Sequence, residues 1–87
     1  MHSFEYDKQK SKSNKAKHDV DFVEAQALWL DSNLIEIPAL TTDEPRFLII
    51  GKIRDRHWSA VVTYRNGNIG LISVRGSRTE EIEIYES

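Results

Sequence analysis

The side chains able to do chemistry in this 87-residue chain are histidines, arginines, lysines, tyrosines and carboxylates. There is no cysteine, which excludes a thiolate nucleophile, a disulfide framework and thiolate metal sites. His2, His18 and His57 fall in neither HExxH nor HxH spacing, so no metal site is expected. The four glycines are scattered, with neither a GxxxxGK nor a GxGxxG loop to cradle phosphates. No serine stands in a nucleophile elbow. The remaining kit suits metal-free phosphodiester cleavage, which needs a base for a 2′-hydroxyl, cations for the developing charge and an acid for the leaving oxygen. Any soluble surface carries the same residue types, so the elements that position them decide the matter.

One domain is expected over residues 1–87, since halving the chain leaves neither half a core. A chain this size buries roughly 60–65% of its unfolded surface. The longest apolar run, Phe47 to Ile50, is far too short to cross a membrane as a helix, and no basic-then-apolar segment opens the chain. The expectation is a cytoplasmic protein with no membrane partner. A net charge of -2 conceals segregation. Residues 1–18 carry five lysines and two acids, residues 19–36 five acids and no base, residues 43–78 seven bases and three acids, and residues 79–87 four glutamates. Such blocks are either solvated faces or local fields for a polyanion.

The pattern of elements is β-α-α-β-β-β-β-α. Phe4-Glu5-Tyr6 alternates as a short strand, and Asp7 caps a helix over Lys8 to Lys17. That helix has a single apolar residue, Ala16. Lys8, Lys12 and Lys15 share one face, and Ser11, Asn14 and His18 another. Asp21 and Glu24 form a capping box for a second helix whose apolar residues, from Phe22 to Leu30, cover most of its circumference and predict burial on more than one side. Leu34 to Ile37 reads as a strand, followed by a polar loop through Pro45. Arg46 to Ile53 reads as a central strand. His57–Arg65 and Asn68–Arg75 flank Asn66-Gly67, a strong hairpin signal. Unbroken pairing sets Val62 against Leu71, Ala60 against Ser73 and Trp58 against Arg75. Ser77 and Glu80 predict a cap for a last short helix whose Ile82 and Tyr85 share a side. The fold class is therefore α+β: a mainly antiparallel sheet of four to five strands, two N-terminal helices and a short C-terminal one.

Several stretches recur here in a specific order: Phe4-Glu5-Tyr6-Asp7, Asn14 with Lys17-His18, Val20-Asp21-Phe22-Val23-Glu24-Ala25, Glu44-Pro45-Arg46 with Gly51, Ile72-Ser73-Val74-Arg75, and Glu81 with Tyr85. In that order and spacing the chain resembles the BrnT toxins of bacterial type II toxin–antitoxin systems. The resemblance implies a RelE-like fold and a ribonuclease that blocks translation by cutting RNA, with no cofactor. It also implies neutralisation by a BrnA-like antitoxin, through which alone DNA is reached. The chain departs from that pattern at Asp19, where Lys-His-Gly-Val has glycine, and at Gly70, where a basic residue is usual. Its final helix is acidic, with Arg78 as a partial substitute for lost cations. Either the RNA site relies on Lys8, Lys12, Lys15, Lys17, Arg46, Arg54 and Arg56, or catalysis is weak. The alternative is a toxin-fold module that docks its antitoxin and co-represses without cutting RNA.

Four residues are the catalytic candidates. His18 suits acid–base work, with an ordinary pKa of about 6.5, though a helix-end histidine also packs against a residue such as Phe22. Arg75 is the cation for phosphate stabilisation, and the unbroken register would lay it over Trp58. Tyr85 is a proton donor or acceptor, or else a cap on the core. Arg46 matches the arginine of the resemblance, or else pairs with Asp43 or Glu44. Trp29 and Phe22 are expected in the core. An antitoxin that silences by occlusion would cover the face bearing His18, Arg46 and Arg75.

Overall fold

A computed structural model describes residues 2–39 and 43–87. The loop expected before Pro45 lies partly outside the described residues. Five strands, β1 (Phe4–Glu5), β2 (Ile35–Ala39), β3 (Arg46–Ile53), β4 (Arg56–Arg65) and β5 (Asn68–Gly76), form one sheet in the order β1-β5-β4-β3-β2. All neighbours are antiparallel except β1, which runs parallel to β5 through Phe4 opposite Ile69. Helix α1 is Lys8–His18 and α2 is Thr79–Glu86. Among the described residues, no helix is long and apolar enough to cross a membrane.

Helix α1 docks by polar rather than apolar side chains. Asp7 caps it, with Oδ1 accepting from the N–H groups of Gln9 and Lys10 at 2.8 and 3.0 Å. Its two buried residues are Ser11 and Asn14. The Asn14 amide donates to the carbonyls of Val20 and Val74, both at 2.8 Å, and accepts from the Val74 N–H at 3.1 Å. It meets the free edge of β5 beyond β1 as another strand would, satisfying backbone groups that would otherwise be buried unpaired. Ser11 Oγ accepts from the Phe22 N–H at 2.9 Å. This is how a helix with no apolar stripe still binds its sheet.

The second N-terminal helix is a 3-10 helix, Glu24–Leu30, and not an α-helix. The expected reciprocal cap is present. Asp21 Oδ1 accepts from Val23 and Glu24 N–H, and Glu24 Oε1 accepts from Asp21 N–H at 3.0 Å. With three residues per turn, the apolar positions no longer fall where an α-helix would put them. Ala25 and Leu28 are fully buried, while Val23 and Leu30 are 59% and 87% exposed, so the expected all-round burial fails. Phe22 is 1% exposed and Trp29 packs against the same core, edge-on to Phe4, as expected of core aromatics.

The core lies between this N-terminal layer and one sheet face, where Ile49, Trp58, Ala60, Val62, Leu71 and Val74 converge. Each fully buried Val, Leu or Ile side chain contributes about 1.5–3 kcal/mol. The unbroken hairpin register holds from Asn68 to Leu71 and then breaks. A bulge at Val61/Val62 sets Ala60 against Val74 and Ser59 against Arg75. Unbroken pairing would have put Ser73 in the core and Val74 outside; the extra residue, Ile72, brings Leu71 and Val74 to the same face and turns Arg75 to the other. Arg75 therefore does not lie over Trp58. The cap of α2 also shifts by one residue from the expected Ser77–Glu80: Glu81 Oε1 accepts from the Arg78 N–H at 2.8 Å. Ile82 and Tyr85 are both half-buried. Pro38 falls inside β2, where an edge strand tolerates its missing N–H.

Candidate nucleic-acid interface at the β3–β4 turn

Strands β3 and β4 meet at Arg54-Asp55, with Ile53 opposite Arg56. Arg54 holds φ at 59°, a left-handed conformation rare for a side chain of this size. Clefts open on both sides of the turn, and Ile53 and Arg54 line both.

The first cleft, about 460 Å³, is lined by Leu30, Asp31, Asn33, Lys52, Arg54 and Tyr85 among others. Tyr85, on the last turn of α2, donates its phenolic proton to Asp31 Oδ2 at 2.7 Å, and Lys52 N–H donates to the same oxygen at 2.8 Å. Burial opposes ionisation of Asp31. The Asn33 N–H, the Tyr85 phenol and the Lys52 N–H outweigh it and hold the carboxyl below its ordinary range. The Asp31 hydrogen bond, with burial, in turn pushes the Tyr85 phenol up, so Tyr85 stays protonated as a donor. His57, directly opposite Lys52, packs its ring edge-on to Tyr85 at 5.2 Å, and its Nε2 lies 2.7 Å from Glu86 Oε2. A carboxylate on one ring nitrogen fixes the ring's orientation and tautomer.

The second cleft, about 600 Å³, is lined by Asp19, Val20, Glu24, Arg54, Asp55, Arg56 and Trp58 among others. Arg56, not Arg75, stacks on Trp58, with its guanidinium carbon 4.1 Å from the ring centroid. Among the described residues, neither the Arg54 nor the Arg56 side chain forms a hydrogen bond or an ion pair.

The four catalytic candidates do not share one site. Tyr85 lies in the first cleft. His18 is exposed at the end of α1, next to Asp19 of the second cleft, while Phe22 meets Tyr6 instead, edge to face at 5.8 Å. Arg75 is engaged beneath α2, where Nη1 and Nη2 each bond a different Glu81 oxygen at 2.8 Å. That pair, helped by the Arg78 N–H and the Ser59 hydroxyl against the cost of burial, pulls the Glu81 carboxyl down to about 2. Arg46 begins β3 four residues before Ile50, the partner of Ser59, so it sits roughly 13 Å along the sheet from Arg75. The three residues expected on one occluded face thus lie on a helix end, at one sheet end and under α2.

The candidate RNA-binding cations divide likewise. Arg54 and Arg56 border the clefts, and Arg78 is exposed at the start of α2. Lys8, Lys12 and Lys17 are exposed along α1, whereas Lys15 reaches Glu24 at 2.9 and 3.1 Å. Sequence reasoning passed over Lys52 and His57. Alternation in β3 and β4 was the available signal, since it puts both on the face opposite Trp58.

Among the described residues, no group of three His, Cys, Asp or Glu side chains converges to hold a metal ion. No curated protein matches the chain. A family model described as the ribonuclease toxin BrnT of type II toxin–antitoxin systems matches residues 6–81. A match running from the end of β1 to the glutamate that clamps Arg75 takes in nearly every element of the fold, and by it the chain belongs to the BrnT ribonuclease-toxin family.

Proposed function

We propose that this toxin cuts RNA without a metal, at the clefts flanking the β3–β4 turn, and so inhibits translation. The observation that carries this reading is the convergence of Lys52, Arg54 and Tyr85 on one cleft, with His57 and Glu86 against Tyr85. In the reaction, a 2′-oxygen attacks the adjacent phosphorus and loses its proton to a base, the bond to the 5′-oxygen breaks, and an acid protonates that leaving oxygen. Lys52 and Arg54 offset charge on the phosphate oxygens. Tyr85 is the donor to the leaving oxygen, its one proton passing from the hydrogen bond with Asp31 to that oxygen as the bond to Asp31 is given up. The base is His57, oriented by Glu86; His18, which has no side-chain partner among the described residues, is the second choice. RNA would cross α1, where Lys8, Lys12 and Lys17 hold phosphates by counterion release.

A BrnA-like antitoxin silences the protein by covering the same basic surface with acidic side chains. Charge reversal at Lys8, Lys12 and Lys17 would then slow antitoxin association while changing dissociation less. Expression without the antitoxin should stop growth, and purified protein should cut RNA in the presence of EDTA. Replacing Arg54 by Ala should lower cleavage at least tenfold at unchanged melting temperature. Normal growth with intact RNA at high expression would overturn the reading. The second reading, an inactive module that binds its antitoxin and co-represses, is favoured by one observation: both terminal nitrogens of Arg75 are bonded to Glu81. It predicts tight complex formation and no cleavage at any concentration.

A further inference from the structure

The second cleft is built to take more than a phosphate. The Arg56 guanidinium lies on the Trp58 ring, and Gly76 stands directly opposite Trp58 in the sheet. A Cβ at Gly76 would come 3.0 Å from Arg56 Nη2, so the absence of a side chain there leaves room for the guanidinium where it meets the indole. One face of the cation is covered by indole, and the residue is otherwise exposed toward the cleft. A guanidinium plane fixed in this way is a stacking platform for a nucleobase.

The charges around it are as informative. The lining holds two guanidiniums and three carboxylates. Glu24 is occupied by Lys15 and by the Asp21 N–H. Asp19 approaches only Lys15, at 3.9 Å, with its side chain 86% exposed, and Asp55 has no partner among the described residues. Neither aspartate pairs with Arg54 or Arg56. A bare phosphate would meet two carboxylates here, and an amine would meet two guanidiniums. A nucleotide satisfies both, with its phosphate on Arg54, its base on Arg56 and its donor edge on a carboxylate. Asp19 also sits at φ 63° as the C-cap of α1, where glycine is the favoured residue, so this carboxylate is held at a conformational cost.

We infer that this cleft is a nucleobase pocket that selects guanine. Guanine alone among the RNA bases presents adjacent ring N–H and amino donors that one carboxylate accepts in parallel, whereas uracil turns carbonyls toward the acid. The inference rests on the RNA-cleaving reading and adds to it a base preference at the cut site. The test is a titration of the full chain, in a Trp29→Phe background, with GMP, AMP, CMP, UMP and inorganic phosphate, followed by Trp58 fluorescence. GMP should bind at least tenfold more tightly than UMP or phosphate. The exposed Asp19→Asn change, alone or with Asp55→Asn, should cut that preference below threefold. Arg56→Ala should weaken all four nucleotides at least tenfold. Equal affinity for GMP and UMP, competition by phosphate at the GMP concentration, or full selectivity in the double aspartate variant would overturn the pocket. Cleavage of a mixed-sequence RNA separates the two claims. Cutting without guanine preference overturns the pocket and leaves the ribonuclease; selective GMP binding without cutting overturns the ribonuclease and leaves the pocket.

Discussion

Arg56 and Arg75 occupy the same corner of the sheet on opposite faces, since Trp58 pairs with Gly76 and Ser59 with Arg75. Arg75 is engaged internally: both terminal nitrogens bond Glu81, which also accepts from Ser59 and from the Arg78 backbone. Arg56 rests on Trp58 with no carboxylate partner among the described residues. One arginine holds α2 to the sheet, and the other is left to meet something outside the molecule. Residue type does not distinguish them; the partner does. Of two arginines that the sequence marks for RNA, one is engaged by an internal carboxylate, while the other keeps its donors.

The largest expected effect comes from breaking the internally engaged side. Glu81→Ala leaves a partly buried guanidinium, a hydroxyl and a backbone N–H without their acceptor, and should cost about 3 kcal/mol. In a domain this size that lowers the melting temperature by roughly 12–24 °C. A fall of under 5 °C in a thermal scan would show that α2 is not held this way. The Asn14→Ala change should cost about 2–3 kcal/mol, because Val74 and Val20 lose the partners of buried backbone groups. Urea unfolding at constant m-value is the measurement.

Acid should reproduce the first of these losses in the unmodified protein. Glu81 ionises at about 2 in the fold, against about 4.3 in an unfolded chain. A depressed folded pKa adds stability above the unfolded value, and that stability disappears as pH falls from about 5 toward 2. The loss is at most about 3 kcal/mol, and Asp31, Glu24 and Glu44, whose carboxyls are also held low, act in the same direction. Glu81→Gln should flatten the pH dependence of urea unfolding over this range; an unchanged curve would assign the acid sensitivity elsewhere.

The smallest stability change belongs to Arg56, whose Ala variant should lose about 0.5–1 kcal/mol from the lost stacking. Its RNA affinity should nevertheless fall about tenfold, while Arg75→Ala should lose stability first. If both variants lost RNA binding equally at unchanged stability, the contrast between the two arginines would be void.

Local signals in the sequence were enough to place most elements and turns to within a few residues, although α2 is capped at Arg78 and not Ser77 and the second helix winds only from Glu24. Asp7 and the Asp21–Glu24 pair cap their helices through side chains two or three residues away, and Asn66-Gly67 adopts positive φ at both residues, as the hairpin requires. These are short-range interactions, legible because their partners are adjacent in the chain. Periodicity also marked Phe22, Ile49 and Val62 for the core, and the ordered stretches from Phe4 to Tyr85 carried the family. Only the tertiary structure decided which cations are available. The bulge after Leu71 has no signature in composition, yet it moves Val74 into the core and Arg75 away from Trp58. The 3-10 winding of Glu24–Leu30, which leaves Leu30 exposed, has no signature in its residue types, which suit an α-helix equally well. The pairing of Arg75 with Glu81, of His57 with Glu86 and of Tyr85 with Asp31 joins residues up to 54 positions apart. Register and long-range partners emerge only when the strands close on one another, and in this protein they decide which of the chain's charges face outward.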